Sequence, residues 1–208
     1  MTTDVAELEK RLAGGEESLF GDLFDQHRPR LWRFIHFRLD SRVRGRIDPD
    51  DVLQDIYLDA SSRLKHFLDG EFPSLFLWLR LIAAQTLSNA HRSHLGVQGR
   101  SVLKERSLPG GICLPDASVS LSFHFVDKLS SPSQRLSRDE LVEKMHQVLE
   151  TIRPADQEII ALRHFEELTN QEVAVVLNIR PKAASIRYVR ALERLQAAMA
   201  EFPEFELP

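Results

Sequence analysis

Thr169 to Leu195 reads TNQEVAVVLNIRPKAASIRYVRALERL, and the order of its signals decides the fold. Thr169-Asn170-Gln171-Glu172 is a capping box: the threonine oxygen accepts from a free backbone N–H and the glutamate reaches back to the threonine N–H. Val173 and Leu177 give the helix that follows one apolar face, and Ala174 between them is small enough for a second helix to cross closely. Asn178 stands where the backbone has to turn left-handed, a conformation asparagine tolerates best after glycine. Ile179 fills the space between the helices, and Pro181 starts the second one with its dihedral preset. On that helix Ala184, Tyr188, Ala191 and Leu195 share a face, which leaves Lys182, Ser185, Ile186, Arg187, Val189 and Arg190 outward. The segment is a helix-turn-helix. Its second helix has the composition to enter a DNA major groove, arginines meeting phosphates or guanine edges and small or apolar side chains meeting thymine methyls. Arg190 is the first candidate for a base edge. The alternative is a helical hairpin whose basic face is merely solvated.

Helical spacing extends outward from this segment. Ser137-Arg138-Asp139-Glu140 is a second capping box, followed by Leu141, Met145, Val148, Leu149 and Ile152 at helical intervals. Pro154 suits a first helical turn, with Ile159 and Leu162 on one face behind it. In the N-terminal half, Leu31, Phe34, Ile35 and Leu39, then Leu53, Ile56, Tyr57, Ala60, Leu64, Phe67 and Leu68, recur at three and four. Residues 74–90, SLFLWLRLIAAQTLSNA, are apolar almost all round at their start, so this helix is expected to be buried on several sides, with Trp78 in the core. Its expected exposed polar groups are Arg80, Gln85, Ser88 and Asn89. From Gly96 to Pro132, glycines, prolines and serines replace the periodicity and read as an interdomain linker. The expectation is an all-α protein of two small helical domains joined by a flexible linker, with boundaries at 1–96, 97–135 and 136–200.

Composition bounds the function. The chain has 208 residues, 43% hydrophobic and 28% charged, enough apolar material for a core. It holds one cysteine, Cys113, no uncharged apolar stretch of membrane-spanning length, and an acidic polar N-terminus without signal-peptide character. These point to a soluble cytoplasmic protein with no membrane association. The net charge of -4 conceals segregation. Arg28, Arg30, Arg33, Arg38, Arg42, Arg44 and Arg46 face a single acid, Asp40, between residues 27 and 46. Asp48, Asp50, Asp51, Asp55 and Asp59 follow with no base among them. Arg180, Lys182, Arg187, Arg190 and Arg194 recur downstream against Glu193. A hydrolase using the aspartate cluster and some of the eight histidines is the enzymatic alternative. The chain has no HExxH, no phosphate-binding glycine loop and no nucleophile elbow, so no catalytic residue, metal ligand or cofactor is expected.

Two stretches in this order resemble the extracytoplasmic-function (ECF) sigma factors, the group IV members of the bacterial RNA polymerase sigma factors. IRPADQEIIALRHFEELTNQEVAVVLNIRPKAASIRYVRALERL, Ile152 to Leu195, is similar to the family's LPxxxREvxxLRxxEGLSxxEIAxxLGxSxGTVxxRxxRALxxL. DPDDVLQDIYLDA and FPSLFLWLRLIAAQTLSNAHR are similar to its AEDxxQExFLxxW and FxxWLxxIAxNxxxDxxR. The resemblance implies a C-terminal domain of the sigma region 4, winged-helix-like type, reading the minus-thirty-five element through Lys182 to Arg190. It implies an N-terminal region 2 whose Asp51, Val52, Gln54 and Asp55 bind the clamp helices of the largest polymerase subunit, carboxylates pairing with arginines. Phe72, Arg80, Gln85, Asn89 and Arg92 would then recognise and open the minus-ten element, capturing bases by stacking and edge contacts. Core RNA polymerase and promoter DNA are the implied partners, and an anti-sigma factor is admitted as a third. The chain departs from the pattern at Gln85, Asn89 and Ala183-Ala184-Ser185. The last change removes a cation, so the element read is not inherited from the family. The aspartates at 48, 50 and 51 would also favour a helix start through its dipole, whatever their function. A helix-turn-helix regulator acting without being a sigma subunit is the alternative.

Overall fold

The computed structural model describes residues 5–39, 45–70, 72–95, 106–108, 112–114, 121–122, 124–126, 138–202 and 205. The chain divides into two compact units, Met1–Val102 with Arg106–Leu114, and Leu103–Glu105 with Pro115–Pro208. Both are helical.

The first unit contains α1 (Val5–Ala13), a 3-10 turn (Glu17–Leu19), α2 (Phe20–Arg38), α3 (Pro49–Ser62), α4 (Leu64–Leu68) and α5 (Leu75–Leu95). Asp48 caps α3, its side chain accepting from the Asp50 N–H at 2.9 Å, and Pro49 occupies the first turn. Leu53, Ile56 and Ala60 turn from α3 into the core with Leu31, Phe34 and Ile35 of α2. The α5 helix is enclosed on nearly every side: Leu75, Phe76, Trp78, Leu79, Ile82, Ala83, Ala84 and Leu87 are all buried. Each large side chain so enclosed contributes about 1.5–3 kcal/mol. Arg80 and Ser88 are buried with them, so the expectation that both are exposed is corrected. A helix apolar all round gives its few polar residues no marked outward side. Arg80 lies under the core surface, its guanidinium 4.8 Å from the centre of the Phe34 ring.

The basic run does not form one patch. Arg28 pairs with Asp50 at 3.0 Å, Arg30 lies 3.5 Å over the Phe76 ring, and Arg38 is buried in the last turn of α2. Asp40, Arg42 and Arg44 lie outside the described residues.

Between 97 and 135 the described residues include two short strands and helical residues. Strands β1 (Arg106–Leu108) and β2 (Ile112–Leu114) pair antiparallel, Ser107 opposite Cys113, within the first unit. Residues 121–122 and 124–126 are helical and belong to the second unit, with Leu121 and Val126 buried and the Phe125 ring edge-on to Phe165 at 5.1 Å. Three-residue strands and a single helical turn are too short for periodicity to reveal.

The second unit continues with α6 (Arg138–Thr151), α7 (Pro154–Ile160), a π turn (Ala161–Phe165), α8 (Asn170–Leu177) and α9 (Pro181–Met199). Ser137, the first residue of the expected second capping box, lies outside the described residues. Met145, Val148 and Leu149 of α6, Ile159 and Ile160 of α7, Leu162, Val173, Ala184, Ala191 and Leu195 form the core. The Gln157 amide donates to the carbonyls of Leu149 at 2.7 Å and Ile152 at 3.1 Å, which fixes the corner between α6 and α7. The Asp156 carboxylate, 1% exposed, accepts from Arg153 Nε at 3.0 Å and from Arg194 Nη1 on α9 at 2.7 Å. That second bond ties α9 to α7.

Candidate nucleic-acid interface and acidic face

The local signals of the helix-turn-helix each take physical form. Glu172 N–H donates to Thr169 Oγ1 at 3.2 Å while Thr169 N–H donates to Glu172 Oε2 at 2.7 Å, completing the capping box. Asn178 sits at φ 51° and ψ 50°, in the left-handed region. Around it the Ile179 N–H donates to the Ala174 carbonyl at 2.9 Å and the Asn178 N–H to that of Val175 at 3.1 Å, the paired bonds of a Schellman turn. The Asn170 amide then donates to the Pro181 carbonyl at 3.0 Å, fastening the start of α8 to the start of α9. Ala174 and Ala184 are buried where the two helices meet, and Leu177 and Ile179 are half-buried.

Ala184, Ala191 and Leu195 face inward on α9, and Tyr188 is half-buried with the Arg163 guanidinium 5.3 Å from its ring centre. Lys182, Ser185, Ile186, Val189 and Arg190 are exposed, and Arg187 is half-buried. All six candidate residues thus have access to solvent. Because successive residues turn by about 100° at 3.6 per turn, Lys182, Ile186, Val189 and Glu193 form the row directly opposite the core. Arg190 and Arg187 flank that row on one side. Glu193, exposed in the row, was missed by the sequence reading. Arg194, counted there among the basic run, is engaged by Asp156.

On α3 the outward row is Asp51, Gln54 and Leu58, with Asp55 beside it, and all four are exposed. Val52 is 3% exposed and points into the core, so it holds the helix in place and presents nothing to a partner. Leu58, by contrast, is 57% exposed in the middle of the acidic face. It falls outside the stripe of Leu53, Ile56 and Ala60 that packs into the core. Beside this row, between α2 and α3, lies an open depression of about 420 Å³ whose lining includes Phe24, Arg28, Asp51, Gln54 and Tyr57.

The α5 candidates separate. Gln85, Asn89 and Arg92 fall at i, i+4 and i+7 on one face, whereas Arg80 lies on another and is buried. Gln85 accepts from Arg63 Nη1 at 2.8 Å, and Arg63 also bonds Asp59 at 2.8 Å, so this face is braced against α3. Asn89 is exposed, while the Arg92 side chain lies outside the described atoms. Phe72 is half-buried against Phe67 and Trp78. Gly70 permits this approach, because a Cβ there would stand 2.8 Å from the His66 carbonyl oxygen and 3.0 Å from the Phe72 ring. Among the described residues no three of His, Cys, Asp and Glu converge as a metal site would need, and no helix is long and apolar enough to cross a membrane.

Residues 143–195, which enclose the whole helix-turn-helix, match the family model of sigma-70, region 4. Over 92% of its length the chain is 24% identical to RNA polymerase sigma factor CarQ of Myxococcus xanthus, covering 95% of that protein. It is 25% identical over 88% of its length to the ECF RNA polymerase sigma factor SigD of Mycobacterium tuberculosis, covering 77% of it. Over most of its length the chain is thus similar to RNA polymerase sigma factors, some of them named ECF, and its residues 143–195 match sigma-70 region 4. The solved structure of CnrH in complex with the cytosolic domain of CnrY has a similar fold, with a TM-score of 0.50 at 21% identity, covering 96% of this chain and 99% of that one. Glu167 stands where the pattern LRxxEGLS carries glycine. Its backbone there is left-handed, φ 55°, as a glycine's would be.

Proposed function

We propose that this chain selects promoters for RNA polymerase, gripping the core enzyme with the outward row of α3 and reading the minus-thirty-five element with the outward row of α9. Residues 1–96 then act as region 2 and residues 136–200 as region 4, with 97–135 between them. Asp51, Gln54, Asp55 and Leu58 supply the core-binding face: carboxylates and an amide to pair with arginines of the clamp helices, and a leucine to bury at the centre of the contact. Gln85, Asn89 and Arg92, sharing one face of α5, are the surface offered to the minus-ten strand, together with Phe72. The protein acts in the cytoplasm, and the chemistry of RNA synthesis stays with the polymerase. The observation that carries this reading is the capped helix-turn-helix whose outward row is flanked by cations, on the same chain as a helix with an acidic outward row.

Run-off transcription with purified core polymerase on a promoter library tests it. Addition of the chain is expected to produce transcripts from a subset sharing two spaced elements. Specific binding to duplex DNA in the absence of core, with no stimulation of transcription, would instead mark a free-standing regulator.

A further inference from the structure

Ile186 and Val189 are 44% and 51% exposed, and they occupy the centre of the outward row of α9. Single exposed apolar side chains need no explanation. Here two β-branched ones stand a turn apart on the surface that faces DNA if α9 is the minus-thirty-five helix, which is the reading this inference rests on. From that reading we infer that this chain selects its element partly by the 5-methyl groups of thymine, with Ile186 and Val189 as the reading side chains.

Three physical points support the assignment. In the major groove every base edge offers hydrogen-bond donors or acceptors, and thymine alone adds an apolar methyl group beside its O4 acceptor. An aliphatic side chain pressed on guanine N7 and O6 or cytosine N4 strips them of water and returns nothing, so only a methyl-bearing position accepts it without penalty. Next, Val and Ile in a helix hold essentially one rotamer, so they meet the groove preformed. Finally, cations outnumber acids on this face: Lys182 precedes the pair in the row and Arg187 and Arg190 flank it, against Glu193 alone at the row's end. Ser185, exposed on the other side, adds a small polar contact. Duplex DNA is therefore the occupant whose charge fits this face. Three residues of helix rise about 4.5 Å, against about 3.4 Å per base step, which places the two methyls on neighbouring or next-neighbouring base pairs.

The test uses holoenzyme reconstituted from core polymerase and the full chain. The minus-thirty-five element is first selected from a randomised promoter library. The selected promoter is then rebuilt with each thymine of the element replaced singly by deoxyuridine, which keeps every hydrogen bond and removes only the methyl. Promoter binding by the wild-type holoenzyme is expected to fall about 3- to 10-fold at two positions no more than two steps apart. In the Ile186→Ala, Val189→Ala double variant the difference between thymine and uracil at those positions should vanish. Equal binding of all uracil-substituted promoters by the wild-type holoenzyme would overturn the inference, and that arm needs no variant to fold. A uracil effect that persists in a folded double variant would overturn the assignment to these two residues, and an equal loss on both templates would make the pair a protein contact instead. If the library yields no enriched element at all, it is the minus-thirty-five reading that fails, not the methyl readout.

Discussion

Among the described residues three helices start on proline, and two of them, α3 at Pro49 and α9 at Pro181, meet opposite electrostatics there. The α3 helix places Asp50 and Asp51 in its first turn behind the Asp48 cap, anions at the positive end of a helix dipole, each worth about 0.3–1 kcal/mol. The α9 helix has no side-chain cap and no acid in its first turn, and Lys182 sits there instead. An outside phosphate at the start of α9 would supply the negative charge that α3 takes from its own sequence. The acids of α3 therefore serve its folding as well as any partner. The cations of α9 do nothing for their own helix start.

Substitution separates the two cases. Arg190→Ala is expected to lower promoter-specific transcription about 10- to 100-fold, corresponding to about 1–3 kcal/mol for a lost base contact, with core affinity and melting temperature unchanged. Asp51→Ala with Gln54→Ala should do the reverse, lowering core affinity about 10-fold in a binding titration. It should also cost about 0.3–1 kcal/mol of stability through the dipole. Equal loss of core binding and transcription in Arg190→Ala would end the division of labour between the faces.

Much of the second unit was legible because its decisive features are local. A capping box, a left-handed asparagine and an N-terminal proline each act within a few residues, so their order in the sequence is their order in space. The outward residues of α9 were legible for the same reason, since one buried stripe of Ala184, Ala191 and Leu195 fixes what faces out. The α5 helix gave no such stripe, and Arg80 was placed on the wrong side because burial all round erases the period. Val52, expected on the binding face of α3, is covered instead by the packing of α2 and α5 against the helix. The pairing of Arg194 with Asp156 spans 38 positions, a separation across which no pattern in the sequence reaches.

That pairing sets the next largest effect. Asp156→Ala removes the shared acceptor of Arg153 and Arg194, whose side chains are 64% and 42% exposed and so recover water. The expected loss is therefore about 1–2 kcal/mol, below the 3–5 typical of a fully enclosed pair. Both tryptophans, Trp32 and Trp78, lie in the first unit. Thermal unfolding followed by circular dichroism should shift down while the tryptophan fluorescence transition stays in place. A matched shift in both signals would mean that the two units melt as one.

The smallest effect concerns the two left-handed residues that flank α8, Glu167 before it and Asn178 after it. An ordinary side chain in that conformation costs about 1–2 kcal/mol, which asparagine largely escapes through local hydrogen bonding and glycine escapes entirely. Glycine returns part of the gain by loosening the unfolded chain, about 0.4–1 kcal/mol. Glu167→Gly should therefore stabilise the second unit by about 0.5–1 kcal/mol, while Asn178→Gly should leave it nearly unchanged. Urea unfolding followed by circular dichroism would read both. Destabilisation by Glu167→Gly would mean that the glutamate side chain contributes more through its contacts than its backbone costs in strain. The chain would then have exchanged the glycine of the family pattern for a different fastening of the same turn, ahead of the helix that carries α9.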